Sequence, residues 1–353
     1  MQRRPTATPE SLPPVTIGVV SHNTEAVIGD CLDSLTRLDY PRYELLFVDN
    51  ASSDGTPHRI RERFPGARLI RLAKNEGPNP ARNLILRTAA HRHVLLVEDD
   101  VLFEPGALRG LVAAMTADPR CGIAMGRILF ADSGAIQYSD IHPHFLGEVT
   151  IRNQGKPPAA CTSATRPTTL APGCFLLVDR VKASEIGGFD EYYVFGKEDS
   201  DFAFRMTLAG YTNLEVPATL VRHKVKPRGF TRSYHQLRNR WYWILKLFST
   251  RTLLLTAPAL LVHELVTLAF FVRARQLGDY SRALAAFPAS LPEALRARRR
   301  TLALKCVPDR AVLTAEAMQV RSDVLRPGST AWKLKRNYDA GMALYWRLVR
   351  RLL

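Results

Sequence analysis

Cysteine is scarce and unpatterned in this chain of 353 residues: Cys31, Cys121, Cys161, Cys174 and Cys306 are odd in number, widely spaced and never form a Cys-x-x-Cys pair. That argues against a disulfide framework and a cysteine-built zinc site, and it fits a reducing compartment. The N-terminus lacks an apolar core segment. Residues 1–14 carry basic residues and prolines, so they read as a disordered tail rather than a secretory signal. No internal repeat is visible. Acidic residues are scarce in one part only: residues 222–353 hold 26 Lys and Arg against 7 Asp and Glu, whereas residues 1–221 hold 23 against 26. A basic C-terminal third suits nucleic acid or an anionic membrane surface, and charge alone does not choose between them. The length allows a full α/β domain plus something smaller.

What is present is an alternation of strand and helix patterns. Val-Thr-Ile-Gly-Val-Val at 15–20 is a β-branched run, followed by a polar turn and apolar residues Val27, Ile28, Leu32 and Leu35 at helical spacing. Further strands are predicted over 43–48, 68–72, 94–97, 121–130 and 172–178, with helices over 80–90 and 107–115. Such alternation predicts an α/β fold with a doubly wound, mostly parallel sheet flanked by helices. In such sheets ligands bind beyond the carboxyl ends of the strands. Here those ends carry Ser21, His22 and Asn23, then Asp49 and Asn50, then Asn75 and Gly77, then Glu98, Asp99 and Asp100, all on one edge. Residues 131–170, rich in Gly, Pro, Ser and Thr without a clear period, read as a mobile lid or acceptor-facing insertion.

The run Val-Leu-Leu-Val-Glu-Asp-Asp-Val at 94–101 joins a buried strand to three carboxylates. Glu98 and Asp100 stand two apart, so in extended chain they share a face and can clamp a hard divalent ion. Asp99 faces elsewhere, toward a sugar hydroxyl. A solvated acidic turn is the rival reading.

The ordered series Val-Val-Ser-His-Asn, Val-Asp-Asn-Ala-Ser-Ser-Asp-Gly-Thr, Asn-Glu-Gly-Pro-Asn-Pro-Ala-Arg-Asn, Val-Glu-Asp-Asp-Val, Pro-Gly-Cys-Phe-Leu-Leu-Val and Gly-Lys-Glu-Asp-Ser-Asp-Phe resembles family 2 glycosyltransferases of the GT-A fold, in particular rhamnosyltransferase- and galactofuranosyltransferase-like members. It spans roughly residues 15–240. The resemblance implies a nucleotide-sugar donor (UDP, dTDP or GDP sugar), Mn²⁺ or Mg²⁺, and inversion at the anomeric carbon. It implies a metal site at Glu98 and Asp100, where the family usually has Asp-x-Asp, with His223 as third ligand. It draws the base from the Glu198–Asp199 pair, with Asp199 preferred and Glu198 in reserve. Ser21, His22, Asn23, Asp49, Asn50, Asn75, Gly77 and Arg82, with Asp99, fall where the family holds the nucleotide, although a helix-surface salt bridge is a rival for Arg82. Gly173 and Cys174 fall where the family shapes the acceptor pocket, Cys174 as a small packed residue rather than a nucleophile.

The third predicted unit, 241–353, is helical and basic. Its apolar run at 252–272 is long enough to span a bilayer, but Pro258, His263 and Glu264 interrupt it. Amphipathic helices lying on the cytoplasmic leaflet, with Trp241, Tyr242 and Trp243 at headgroup level and arginines on anionic lipid, are expected; helical packing with a solvated basic face is the alternative. The sequence therefore predicts a cytoplasmic enzyme bound peripherally to the inner face of the cell membrane, acting on a lipid-linked or cell-envelope glycan acceptor. No nucleic-acid partner is expected. The competing classes are a basic nucleic-acid-binding protein and a nonenzymatic glycan-binding relative.

Overall fold

A computed structural model describes residues 12–224, 233–318 and 328–353. Its first half alternates β1 (Val15–Ser21), α1 (Ile28–Thr36), β2 (Tyr43–Asp49), α2 (Thr56–Arg63), β3 (Arg68–Arg71), α3 (Pro78–Thr88) and β4 (His93–Glu98). Then come β5 (Val101–Phe103), α4 (Ala107–Ala117), β6 (Cys121–Phe130), β7 (Ile136–Tyr138), β8 (Ile141–Pro143), β9 (Val149–Ile151) and β10 (Arg166–Thr168). The sheet is completed by β11 (Phe175–Asp179), α5 (Arg180–Glu185), α6 (Glu198–Leu208) and β12 (Thr212–His223). Ten strands form one sheet in the order β10-β12-β6-β11-β4-β1-β2-β3, with β5 on β12 and β7 on β6. Strands β3, β2, β1 and β4 are parallel, whereas β11 lies antiparallel between β4 and β6, so the sheet is mixed beyond β4.

Period-2 alternation divides the core. Ile17, Val19, Phe47, Leu95 and Val97 pack on one face of the sheet with α1 and α4. Leu46, Val48, Val94 and Leu96 pack on the other with α3 and α6. Each such side chain is fully or nearly fully buried and contributes about 1.5–3 kcal/mol of transfer free energy. The parallel register sets Val20 beside Glu98 and Ser21 beside Asp49, which aligns the polar strand ends on one edge.

Two expectations change. Residues 131–170 are anchored rather than lid-like: they carry three-residue strands too short to show a period, and Ile136, Ile141, Phe145 and Leu146 are buried. Phe145 stacks on Trp346 with ring centroids 5.1 Å apart. Most of the expected 1–14 tail lies outside the described residues, but Leu12 is buried and the Pro13 carbonyl accepts a 2.5 Å hydrogen bond from Tyr40 Oη.

The C-terminal helices are α7 (Ser233–Leu247), α8 (Thr250–Arg273), α9 (Leu277–Leu304), α10 (Asp309–Val312) and α11 (Thr330–Val349). The expected boundary at 240/241 falls inside α7. Trp243, Leu247 and Phe248 are buried in the core of the sheet domain, Trp243 stacking on Phe204 of α6 at 5.3 Å, so this region packs on that domain rather than standing apart. Helix α8 is long and apolar enough to cross a membrane. Two of its three interrupting residues face protein, Pro258 being exposed: His263 Nδ1 meets Tyr338 Oη at 2.8 Å, and Glu264 accepts from Trp241 Nε1 at 3.0 Å and Tyr280 Oη at 2.8 Å. Its opposite face exposes Leu254 by 71%, Leu261 by 64% and Leu265 by 59%.

Candidate active site

At the carboxyl ends of β1, β2 and β4 lies a cleft of about 650 Å³. His22, Asn23, Asn50, Asn75, Gly77, Arg82, Glu98, Asp99, Asp100 and Glu198 line it. A larger cavity, about 770 Å³, lies among α3, α5 and α9 and lacks the convergent strand-end groups of the cleft.

The chain does not stay extended past Glu98: Asp99 and Asp100 form the turn between β4 and β5, and the β5–β12 pairing sets His223 opposite Val101, the residue after Asp100. One donor atom from each of Glu98, Asp100 and His223 lies within 4.8 Å of the others. Asp100 Oδ1 is buried, accepts no hydrogen bond and lies 3.2 Å from His223 Nε2. His223 Nδ1 meets Gln137 Oε1 at 3.0 Å, an arrangement in which Nδ1–H donates to the amide oxygen and the Nε2 lone pair points to the carboxylates. Two carboxylates and one imidazole form a donor set that fits Mn²⁺ or Mg²⁺. Gln137 comes from β7 in the segment that sequence reasoning left unresolved.

Glu98 is also held from below. Arg82 of α3, buried, meets Glu98 Oε1 at 2.6 Å. Arg82 is therefore not on a helix surface: it pairs with the Glu98 carboxylate and lies against Gly173, where an added Cβ would come 2.6 Å from the guanidinium. Gly173 thus permits that approach. Asp99 turns away from its neighbours and fixes the β1–α1 loop, accepting from Thr24 Oγ1 at 2.6 Å and His22 N–H at 3.3 Å. Burial pushes the Asp99 carboxyl up to about 7.

Helix α6 begins with Glu198, Asp199 and Asp201, acids that suit the positive end of its dipole. Asp199 Oδ2 accepts 2.6 Å from Gly173 N–H, and Oδ1 accepts 2.9 Å from Ser200 N–H. Glu198 reaches the cleft wall, where its Oε2 is buried without a hydrogen-bond partner. Burial, and then the neighbouring Asp199 charge, push its carboxyl up to about 7 against the pull of Arg82. Asp201 is fully buried and bound by Lys246 at 2.7 Å and Arg205 at 2.7 Å, a structural anchor for α6.

The residues expected to hold the nucleotide divide. Asn50 Nδ2 donates to Asn75 Oδ1 and to the Gly77 carbonyl, both at 2.9 Å, so these three form one clasp. Gly77, at φ +90°, supplies the left-handed turn that starts α3. Ser21 and Asp49 instead lie beneath the cleft wall: both are buried, and Asp49 pairs with Arg71 at 3.1 Å. Cys174 is buried and its thiol is pushed well up by burial and by Glu98, which removes nucleophilic character. Sequence reasoning missed Thr24, Phe195 and Lys224 on the cleft wall. Lys224, adjacent to His223 in the chain, donates its backbone N–H to the Asp100 carbonyl at 2.9 Å.

A mixed α/β sheet with acidic and polar groups at its strand ends, flanked by helices and followed by a helical region, is the architecture of GT-A glycosyltransferases. Comparison with known proteins agrees. The family described as Glycosyl transferase family 2 matches residues 16–174. N-acetylglucosaminyl-diphospho-decaprenol L-rhamnosyltransferase of Mycobacterium tuberculosis is 29% identical over 209 residues, 52% of this chain and 68% of that protein. An N-acetylglucosaminyltransferase of Bradyrhizobium elkanii is 31% identical over 124 residues, 33% of this chain and 68% of that one. Among solved structures, GalNAc-T7 with UDP, GalNAc and Mn²⁺ superposes with a TM-score of 0.58 at 16% identity, covering 68% of this chain and 49% of that chain, about half its length. The chain belongs to glycosyl transferase family 2 and has the GT-A fold, with similarity to rhamnosyltransferases.

Proposed function

We propose that the chain is an inverting, metal-dependent glycosyltransferase that moves a sugar from a nucleotide diphosphate sugar to a hydroxyl of a lipid-linked or cell-envelope glycan. The observation that carries this reading is the convergence of Glu98, Asp100 and His223 within 4.8 Å beside a cleft that Glu198 also lines. These three residues would hold Mn²⁺ or Mg²⁺, which when bound neutralises charge developing on a departing diphosphate. His22, Asn23 and the Asn50–Asn75–Gly77 clasp receive the nucleotide. Arg82 keeps Glu98 in place.

Direct displacement forms the new bond between the acceptor oxygen and the anomeric carbon as the nucleotide diphosphate leaves, and the hydroxyl proton passes to a carboxylate. Asp199 is assigned that role, since the Gly173 N–H fixes its carboxylate against the expected acceptor loop. A specific observation favours Glu198 as a second reading: its unpartnered Oε2 lies in the cleft wall and its carboxyl sits about 7.

The same reading places the protein on the cytoplasmic membrane face. The exposed leucines of α8 would enter the leaflet, and Arg310, Arg347, Arg350 and Arg351, around a concavity of about 600 Å³, would meet anionic headgroups. A panel of UDP, dTDP and GDP sugars, assayed for turnover with Mn²⁺ and with a chelator, tests the function. Chelator-sensitive turnover of at least one donor is expected; chelator-insensitive turnover, or none with any donor, contradicts it.

A further inference from the structure

Lys197, immediately before Glu198, holds a left-handed backbone at φ +71°, and Gly196 before it stands at φ +82°. Glycine adopts that conformation freely, whereas a lysine is crowded in it. The Lys197 side chain is also only 5% exposed, so a cation is buried at the same position. A strained backbone and a buried charge beside the candidate bases persist only where the surroundings hold them. The hold does not come from helix α6, because Lys197 makes no side-chain capping bond to its first turn.

It comes from the opposite side. The ammonium donates at 2.7 Å to the Gly147 carbonyl, lies 3.5 Å from the Glu148 carboxylate and sits over the Trp243 ring, 5.5 Å from its centroid. Gly147 and Glu148 belong to the turn between β8 and β9, which is itself fixed. Gly147 leaves no room for a Cβ against Ile244 of α7, and Glu148 lies 3.7 Å from both Arg240 of α7 and His263 of α8. Asn239 of α7, fully buried, adds a second grip by donating at 2.7 Å to the carbonyls of Phe195 and Gly196. Residues 195–197 are thus held one after another from behind. What they deliver faces forward: Phe195 and Glu198 line the cleft, and Asp199 accepts from Gly173 N–H. Asp201, bound by Lys246 and Arg205, anchors the body of α6 but lies beyond the turn that sets the direction of Glu198 and Asp199.

We infer that Lys197 is a positioning residue for the transfer: its ammonium, tied to the Gly147 carbonyl and to Glu148, fixes the left-handed turn that aims Glu198 and Asp199. The inference rests on the transferase reading and extends it to a residue that does not line the cleft.

Lys197→Met removes the ammonium and keeps the stem. Turnover of whichever UDP, dTDP or GDP sugar the wild type consumes with Mn²⁺ should fall about tenfold or more, since a misplacement of about 1 Å can cost about 100-fold, while Mn²⁺-dependent nucleotide affinity stays within about twofold. Hydrogen exchange gives a readout that needs no turnover. The Gly173 amide, which donates to Asp199, and the Asp201 amide, which donates at 2.7 Å to the Lys197 carbonyl, should exchange faster than in wild type. Lys305→Met is the matched control: it removes another buried ammonium, one that donates at 2.9 Å to the Leu247 carbonyl, and should lower stability in denaturant without altering turnover or those two amides. Should Lys197→Met fail to fold by circular dichroism, Lys197→Gly, which suits the left-handed backbone, carries the same expectations. Full turnover in the Lys197 variant, an equal loss of nucleotide affinity, or the same losses in Lys305→Met overturns the assignment. No turnover by the wild type with any donor removes the transferase reading, and exchange then decides the turn by itself: unchanged Gly173 and Asp201 amides in the Lys197 variant remove the holding role too.

Discussion

Replacing Asp199 by Asn separates proton transfer from binding. The carboxylate accepts from Gly173 N–H at 2.6 Å and Ser200 N–H at 2.9 Å. An asparagine carbonyl keeps one of these contacts while its NH₂ opposes the other N–H, so the structural loss is about one charge-assisted hydrogen bond, roughly 1.5–3 kcal/mol. The chemical loss is of a different kind: removing a general base lowers turnover about 10²–10⁴-fold. Asp199 is not among the residues that line the cleft proposed for the nucleotide, so metal-dependent nucleotide binding should stay nearly intact. Single-turnover quench at saturating donor, with calorimetric nucleotide binding on the same sample, reads both. Full turnover by Asp199→Asn removes it from the base role. If Glu198→Gln loses turnover instead, the proton goes to Glu198. A base must be deprotonated, so the wild-type rate would then fall as pH drops below about 7, the value to which burial raises Glu198.

Gln137→Ala should weaken Mn²⁺ binding about 10–100-fold by releasing the His223 ring, measured by metal titration; unchanged affinity refutes the orienting role. Leu261→Glu with Leu265→Glu should reduce partition to anionic vesicles by about tenfold or more for each leucine removed, with little change in melting temperature because both face outward. Burial pushes the Asp140 carboxyl up, but His142 at 2.7 Å and Arg166 and Arg152 outweigh it and hold it down to about 2. A depressed folded value stabilises above the unfolded pKa of about 3.9 and is lost as pH falls toward 2. The advantage of wild type over Asp140→Asn should thus be about 2 kcal/mol at neutral pH and vanish near pH 2 in denaturant unfolding; a pH-independent difference contradicts it.

The sheet's first half was legible because β1, β2 and β4 are continuous apolar runs; Glu98 and Asp100 do come together with His223, but across a turn at Asp99 and Asp100 rather than along the extended chain that their spacing suggested. Strand β6 begins and ends where its apolar pattern does, at Cys121 and Phe130. Position along a strand end did not reveal depth. Asp49 and Ser21 are buried below the cleft, and Arg71 of β3 pairs with the Asp49 carboxylate. Gln137 could not be found, since its strand is three residues long and its partner is 86 residues away. The interruptions in α8 pointed toward a surface helix for a reason the sequence does not contain: His263 and Glu264 find Tyr338, Trp241 and Tyr280 on neighbouring helices. Because Trp243, Leu247 and Phe248 fill the shared core, cutting the chain at 241 would expose the catalytic domain's own interior.

The proposed transfer requires a metal held by Glu98, Asp100 and His223 and a nucleotide diphosphate for it to serve. Thermal stabilisation by UDP, dTDP or GDP, measured with and without Mn²⁺ on wild type and on Asp100→Ala, tests that claim most directly. One nucleotide should raise the melting temperature only when Mn²⁺ is present, and Asp100→Ala should abolish the shift. Equal stabilisation without metal, or a full shift in Asp100→Ala, would contradict the account.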